Sequence, residues 1–353
     1  MNICIVTVFY SWNLGSYQQA NELAEAYSKY GDVYFLDRKI RRPYMWLGKT
    51  LRGCLLRFKF KQAAYELKKR IIFKKKYSHL KTITMKDIDK MDMFVLGSDE
   101  IWNLTRDIMN YSFLFGDGLG ENIVSYAPSI GSTTAEQLME KGYVEKFIKP
   151  AKLISVRDEQ TKAILRQCGY DKDVDIVVDP TMLKSKESYE EENTDKTKPG
   201  YIAMYCFRGY LESGVYDSFS VYAKNKDLRI VSVGLWNDET ENALPTSSGV
   251  FDTYINAESV ITNTFHGTLF AILLNKKFVT FPGSKPKISH LLELFGLESR
   301  NGDGKSIDEI HAILDTDVDW DPVNRKIEEQ RAHSLDYIKR SVDAIKNSNE
   351  GQK

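Results

Sequence analysis

His266, Asp99 and Arg157 are the side chains of this chain whose types and settings could do chemistry. His266 lies in SVITNTFHGTLFAILLNKKFVTFP (259–282), where an apolar strand runs through a polar turn into an apolar helix and then a second strand. Asn263 and Thr264 are residue types that cap helices, and the first N–H groups of a helix have no internal partner. With Gly267 beside it, His266 sits where an imidazole, a hydroxyl and backbone donors can converge on one phosphate or carboxylate. A histidine that merely caps a helix fits the same stretch. Asp99 and Glu100 follow the apolar run 93–96 in GSDEIWN. Carboxylates accept hydrogen bonds from sugar hydroxyls, the Trp102 ring can cover a sugar's apolar face, and Asp99 can serve as a general base. The other reading has Asp99 capping a helix and Trp102 in the core. Arg157 ends the apolar run 153–156, where a guanidinium can grip a phosphate or carboxylate through two parallel bonds. It can instead pair with Asp158 or Glu159. Asn13 and Gly15 occupy the loop after the first strand, whose helix aims its N–H groups at the strand's carboxyl end.

The elements that must position these residues alternate between strand and helix. Unbroken apolar, β-branched runs at 3–8, 33–36, 93–96, 123–125 and 153–156 read as buried parallel strands. A polar, aperiodic stretch, KSKESYEEENTDKTKP (184–199), marks a domain boundary. A second strand series opens at 201, and Pro322 suits the first turn of a final helix. The expected division is an N-terminal Rossmann-like domain over 1–183 on the acceptor side and a linker over 184–199. A second Rossmann-like domain over 200–320 is on the donor side, and a helix over 321–353 packs back on the first domain. The motif GxGxxG is absent, so a dinucleotide cofactor has no support.

The 353 residues carry 49 basic and 49 acidic side chains, so the chain as a whole has no nucleic-acid signature, and no nucleic-acid partner is expected. The balance hides a basic stretch over 39–81, where cations alternate with Trp46, Leu51, Leu56, Phe58, Phe60, Ile71 and Phe73. Basic residues beside aromatic and aliphatic ones at helical spacing describe a helix lying on an anionic membrane surface. A solvated helix packing its apolar stripe on the domain is a second reading, and RNA binding, without a recognised motif beside the charge, is a third. Four scattered cysteines, without a CxxC or a histidine at ligand spacing, read as reduced thiols rather than a metal site. No signal peptide or spanning segment is evident, so the chain is expected in the cytoplasm, and at the inner face of the plasma membrane if the basic stretch binds lipid.

The set NLGSYQQA (13–20), GSDEIWN (97–103), SYAPSIG (125–131), ISVRDEQT (154–161), VVDPTML (177–183) and VITNTFHGTLFAILLNKKFV (260–279) resembles the polysaccharide pyruvyl transferase family. The order and spacing hold over nearly the whole chain. The resemblance implies an α/β fold of two Rossmann-like domains facing a cleft, the GT-B-like glycosyltransferase architecture, with a C-terminal helix crossing back. It implies phosphoenolpyruvate as donor substrate, pyruvate passed as a ketal to a saccharide acceptor, lipid-linked by expectation, and no metal or cofactor. His266 and Asp99 become the catalytic candidates. Arg157, Asn263, Thr264, Gly267 and Lys287 are the donor-binding set, and Asn13, Gly15, Glu100 and Trp102 the acceptor-binding set. Several members carry Arg then Leu before the histidine, where this chain has Thr264 and Phe265; Lys287 or Arg208 is the candidate to restore that charge. Two other readings stay open, a glycosyltransferase of this architecture using a nucleotide-activated sugar and a non-catalytic carbohydrate-binding protein.

Overall fold

The computed structural model describes residues 1–9, 13–37, 51–54, 56–194, 196–207, 209, 211, 214–245 and 251–350. In the N-terminal half, β1 (Asn2–Val6) leads into helix α1 (Leu14–Ser28), followed by β2 (Asp32–Leu36) and helix α2 (Phe60–Tyr77). Strands β3 (Thr82–Ile83), β4 (Met93–Leu96) and β5 (Ile123–Ser125) complete a parallel sheet of order β3-β2-β1-β4-β5. Ile3 to Val6 are fully buried, as befits a central parallel strand covered on both faces. The layer continues through the bridge Val124–Leu153 to the short parallel pair β6 (Ser155–Val156) and β7 (Asp175–Ile176), with helix α3 (Glu159–Gln167) between them.

The expected linker is not structureless: Ser185 caps a short helix α4 (Lys186–Glu191), and its Tyr189 is buried against Phe270. One large apolar anchor and a good N-cap suffice to order so polar a stretch. The second sheet holds β8 (Tyr201–Tyr205), β9 (Arg229–Val233), β10 (Glu241–Ala243), β11 (Ser259–Thr262) and β12 (Lys277–Thr280) in the order β10-β9-β8-β11-β12, again parallel. Helix α5 (Phe265–Leu273) joins β11 to β12, α6 (Pro286–Phe295) follows, and α7 (Trp320–Glu350) closes the chain. Val323 and Ile327 of α7 pack with the second domain, whereas Tyr337, Ile338, Val342 and Ile345 pack with Ile3, Ile5 and Tyr27 of the first. The two domains therefore share one long helix, and the arrangement is GT-B-like.

Both sheets place their first strand centrally, and the strand order reverses there. Ligands of open parallel sheets bind at that reversal, outside the carboxyl ends of the strands. In the first sheet it lies between the loops after β1 and β4, which carry Asn13–Gly15 and Gly97–Glu100; in the second, β11 delivers Asn263–Gly267 beside the end of β8.

The basic stretch is only partly what its composition suggests. Residues 38–50 and Leu55 lie outside the described residues. Helix α2 turns Lys69, Arg70 and Lys76 inward, where Lys69 Nζ donates to the Gly234 carbonyl and Tyr65 Oη to the Ala243 carbonyl. Lys69 and Tyr65 tie α2 to the second domain, and the three inward-facing cations are buried and not available to a membrane. Net charge along a sequence does not say which way each lysine faces.

Candidate active site

The first turn of α1 gathers residues from both domains. Asn13 caps it, its Oδ1 accepting from the N–H groups of Gly15 and Ser16 at 2.9 and 3.4 Å. Gly15 lies so close to the His266 imidazole that a Cβ there would stand 2.0 Å from Nδ1. Next to it, Ser16 Oγ donates to Asp99 Oδ2 at 2.8 Å, while Asp99 Oδ1 accepts from the Glu100 N–H at 2.8 Å. Adjacent residues of one helical turn thus touch the imidazole and the carboxylate, the two catalytic candidates. Asp99 has φ +73° and Ala127, in the neighbouring loop, φ +50°. Left-handed backbone at non-glycine residues costs about 1–3 kcal/mol each and concentrates where a site over-determines its geometry.

His266 belongs to the first turn of α5 rather than to the loop ahead of it, because Thr264 is the N-cap and accepts from Gly267 N–H at 3.0 Å. Gly267 is required at that turn: a Cβ would stand 2.2 Å from Thr262 Oγ1 and 2.6 Å from Thr264 Oγ1. On the far side of the ring, His266 Nε2 is 3.5 Å from Asp179 Oδ2. The same oxygen accepts from Arg157 Nη1 at 3.2 Å, while Oδ1 accepts from Thr181 N–H and Oγ at 3.1 and 2.8 Å. Burial alone would push Asp179 up, but His266, then Arg157 and the Thr181 hydroxyl, hold it well below the usual carboxylate range. For Arg157 burial opposes the charge, and Asp179, Asp99, Asp158 and Glu100 together raise its pKa nonetheless. Arg157 Nη2 is buried without a hydrogen-bond partner among the described residues, a donor that a bound anion would satisfy, whereas His266 Nε2 faces the Asp179 carboxylate.

Phe265 is flanked by cations, with the Arg157 guanidinium 4.7 Å and Lys287 Nζ 5.6 Å from the ring centroid. Positive charge therefore reaches this pocket from a neighbouring strand end and from α6, and not from the position of Thr264. Arg208 lies outside the described residues. A crevice of about 980 Å³ opens between the domains, lined among others by Arg157, Asp179, Phe265, Lys287, His290 and His333; His266 and Asp99 do not line it.

Three assignments made on residue type change. Trp102 has no exposed surface: its ring stacks on Phe115 and its Nε1 donates to the Leu114 carbonyl at 3.0 Å, so it cannot cover a sugar. Glu100 and Lys287, assigned to opposite substrates, pair with each other at 2.5 Å across the domains, and Arg106 adds a second cation at 3.0 Å. Burial works against that carboxylate, but Lys287, then Arg106 and Arg157, bring it down to about 2. Asn263 is fully buried; its amide accepts from Phe207 N–H and donates to Phe207 O, both at 2.9 Å, clamping the end of β8 to the end of β11. Asp179 and Ser16 were not among the candidates. The aspartate preceding Pro180 at a strand end was the available signal for the first; for Ser16 there was none.

The family model for polysaccharide pyruvyl transferase matches residues 13–284. No curated protein is significantly similar in sequence. Among solved structures, the DNA-modifying enzyme β-glucosyltransferase is 12% identical and covers 97% of this chain and 100% of its own, with a TM-score of 0.47. The UDP-GlcNAc 2-epimerase from Neisseria meningitidis is 9% identical over 99% of both chains, TM-score 0.48. Medicago truncatula UGT71G1, complexed with UDP-glucose, is 10% identical over 98% of both, TM-score 0.48.

Proposed function

Since the chain belongs to the polysaccharide pyruvyl transferase family, we propose that it moves pyruvate from phosphoenolpyruvate onto two hydroxyls of one saccharide as a ketal, releasing phosphate. The acceptor is a sugar of a surface polysaccharide or of its lipid-linked precursor. The observation that carries this reading is the meeting of Arg157, Asp179 and His266 with the first turn of α1, where Ser16 holds Asp99. Phosphoenolpyruvate presents a carboxylate and a phosphate on one small carbon skeleton. Arg157, with an unused buried Nη2, and the N-terminus of α5 offer complementary donors for two such anions.

In this scheme His266 supplies the proton that turns the vinyl carbon into a methyl group, and the first saccharide hydroxyl attacks the adjacent carbon as Asp99 takes its proton. The tetrahedral adduct expels phosphate. The second hydroxyl closes the ketal, so that of the two hydroxyl protons one ends on the methyl carbon and the other on phosphate. Asp179 does not touch substrate; it orients the imidazole and the guanidinium from behind, as a carboxylate orients a catalytic histidine.

The test is a calorimetric titration of phosphoenolpyruvate into the wild type, His266→Ala and Arg157→Ala. Saturable binding that weakens at least tenfold in both variants is expected. Binding of a nucleotide sugar with indifference to phosphoenolpyruvate would overturn the donor and leave the fold standing.

A further inference from the structure

Helix α2 has two unlike faces. Its inner face, Tyr65, Lys69, Arg70, Phe73, Lys76 and Tyr77, is buried. On its outer face Phe60, Ala64, Leu67 and Ile71 recur at spacings of four, three and four, which sets them in one ridge along the helix. Phe60 is 60%, Leu67 45% and Ile71 61% exposed. Lys61, Lys68 and Lys75 recur every seven residues along one flank of the ridge, Lys74 lies on the other, and all four are exposed. The turn leading into the helix adds Leu56 at 70% and Phe58 at 80% exposure, with exposed Arg57 between them. Phe58 adopts φ +54°, a conformation that L side chains avoid and that glycine or asparagine usually fills. The one acid of α2, Glu66, is half-buried on the side away from the ridge.

An apolar ridge flanked by lysines, without an acid on the face, matches neither a solvated helix nor a core helix. Its charge complements an anionic surface, and its apolar centre complements a layer into which rings can enter to a shallow depth. We propose that the outer face of α2 and the turn at 56–60 dock the protein on a bilayer containing anionic phospholipid. Phe58 and Phe60 enter the headgroup boundary, and Arg57, Lys61, Lys68, Lys74 and Lys75 meet lipid phosphates. Because the inner face of the same helix is tied to Gly234 and Ala243 of the second domain, the docked helix holds both domains to the surface. The proposal rests on no catalytic assignment, and vesicles contain neither donor nor acceptor, so its failure would leave the proposed reaction untouched.

The test is flotation of the full chain with phosphatidylcholine vesicles that contain or lack phosphatidylglycerol, at low and high salt. The wild type is expected to float with the anionic vesicles at low salt and to be released by salt. Each lysine near such a surface is worth about fivefold in partitioning, so Lys61→Glu/Lys68→Glu/Lys75→Glu should lose at least roughly a hundredfold. Phe58→Ser/Phe60→Ser, which keeps every cation of the face, should also lose flotation with the anionic vesicles at low salt. A charge-matched change on exposed lysines elsewhere, Lys141→Glu/Lys146→Glu/Lys152→Glu, should float like the wild type. All three variants alter exposed residues, and equal melting temperatures check their folding. Absence of flotation, equal flotation with neutral vesicles, or equal loss in the control would overturn the proposal. So would a dimer in light scattering that the Phe58→Ser/Phe60→Ser pair dissolves without vesicle binding, since the face would then belong to a second copy.

Discussion

Gly15 shows how tightly single residues constrain this site. Its Cα borders the His266 ring, and an alanine methyl group would overlap Nδ1, so the ring, carried by the other domain, must move to admit it. The backbone itself accepts alanine, because Gly15 is helical and absent from the positive-φ positions. Alanine is a better helix former than glycine by about 1 kcal/mol, but overpacking the buried ring costs about 1–3 kcal/mol, so Gly15→Ala should lower the melting temperature only modestly. Turnover should nonetheless fall by about a hundredfold, the usual cost of misplacing a catalytic group by about 1 Å. Phosphate release measured beside thermal melting checks both halves of this expectation; unchanged turnover would mean that the imidazole position is immaterial. The sequence offered Gly15 as a loop glycine at a strand end and His266 as a histidine at a helix start, both readable locally. Their contact was not readable, because it joins two domains and no periodicity links them. Trp102 failed for a related reason: an indole after a strand suits a sugar platform and a core filler equally well, and only packing decides.

At the scale of elements, the central strands were legible because a parallel strand buried on both faces must be continuously apolar, whereas the short edge strands β3 and β10 lack such a run. Less legible were the faces of α2 and the partners of charged loop residues. Glu100 and Lys287 look like substrate ligands when each is read on its own loop. In the fold, Lys287 at the start of α6 and Glu100 after β4 lock one domain to the other. The carboxyl of Glu100, brought to about 2 from an ordinary 4.5, fixes the sign of the pH effect. The folded state gives up this proton more readily than the unfolded chain, so the pair stabilises the protein above about pH 4.5 and is lost as pH falls toward 2. A depression of that size corresponds to roughly 3 kcal/mol. Glu100→Gln should therefore be less stable than the wild type near pH 6 by about that amount and should close most of the gap near pH 3. Urea unfolding at the two pH values measures the difference; a gap that does not narrow in acid would assign the pair no stabilising role.

For the whole molecule, the two-domain plan follows from two strand series of the same winding, and helix α7 packs on both halves. Their junction holds a second buried carboxyl, with the opposite sign of pH effect. Glu22 of α1, only 3% exposed, lies among Gln18, Lys184 after the first domain, and Tyr189 of α4. Burial pushes its carboxyl up from 4.5 to about 7, with Lys184 opposing and Glu25 adding to the rise. Here the folded state keeps a proton that the unfolded chain releases. Stability should accordingly be complete below about pH 4.5 and decline as pH rises toward 7, by about 1.4 kcal/mol for each pH unit and about 3 kcal/mol in all. Glu22→Gln mimics the protonated acid and cannot titrate. The variant and the wild type should be nearly equal in stability at pH 4.5, with the variant ahead by about 3 kcal/mol at pH 8. Taking the difference between them cancels the other titrating groups, which both proteins share. Unfolding midpoints at a series of pH values would show a gap opening between pH 4.5 and 7; a gap constant across that window would mean that Glu22 is ionised in the folded protein and that Lys184 compensates its burial.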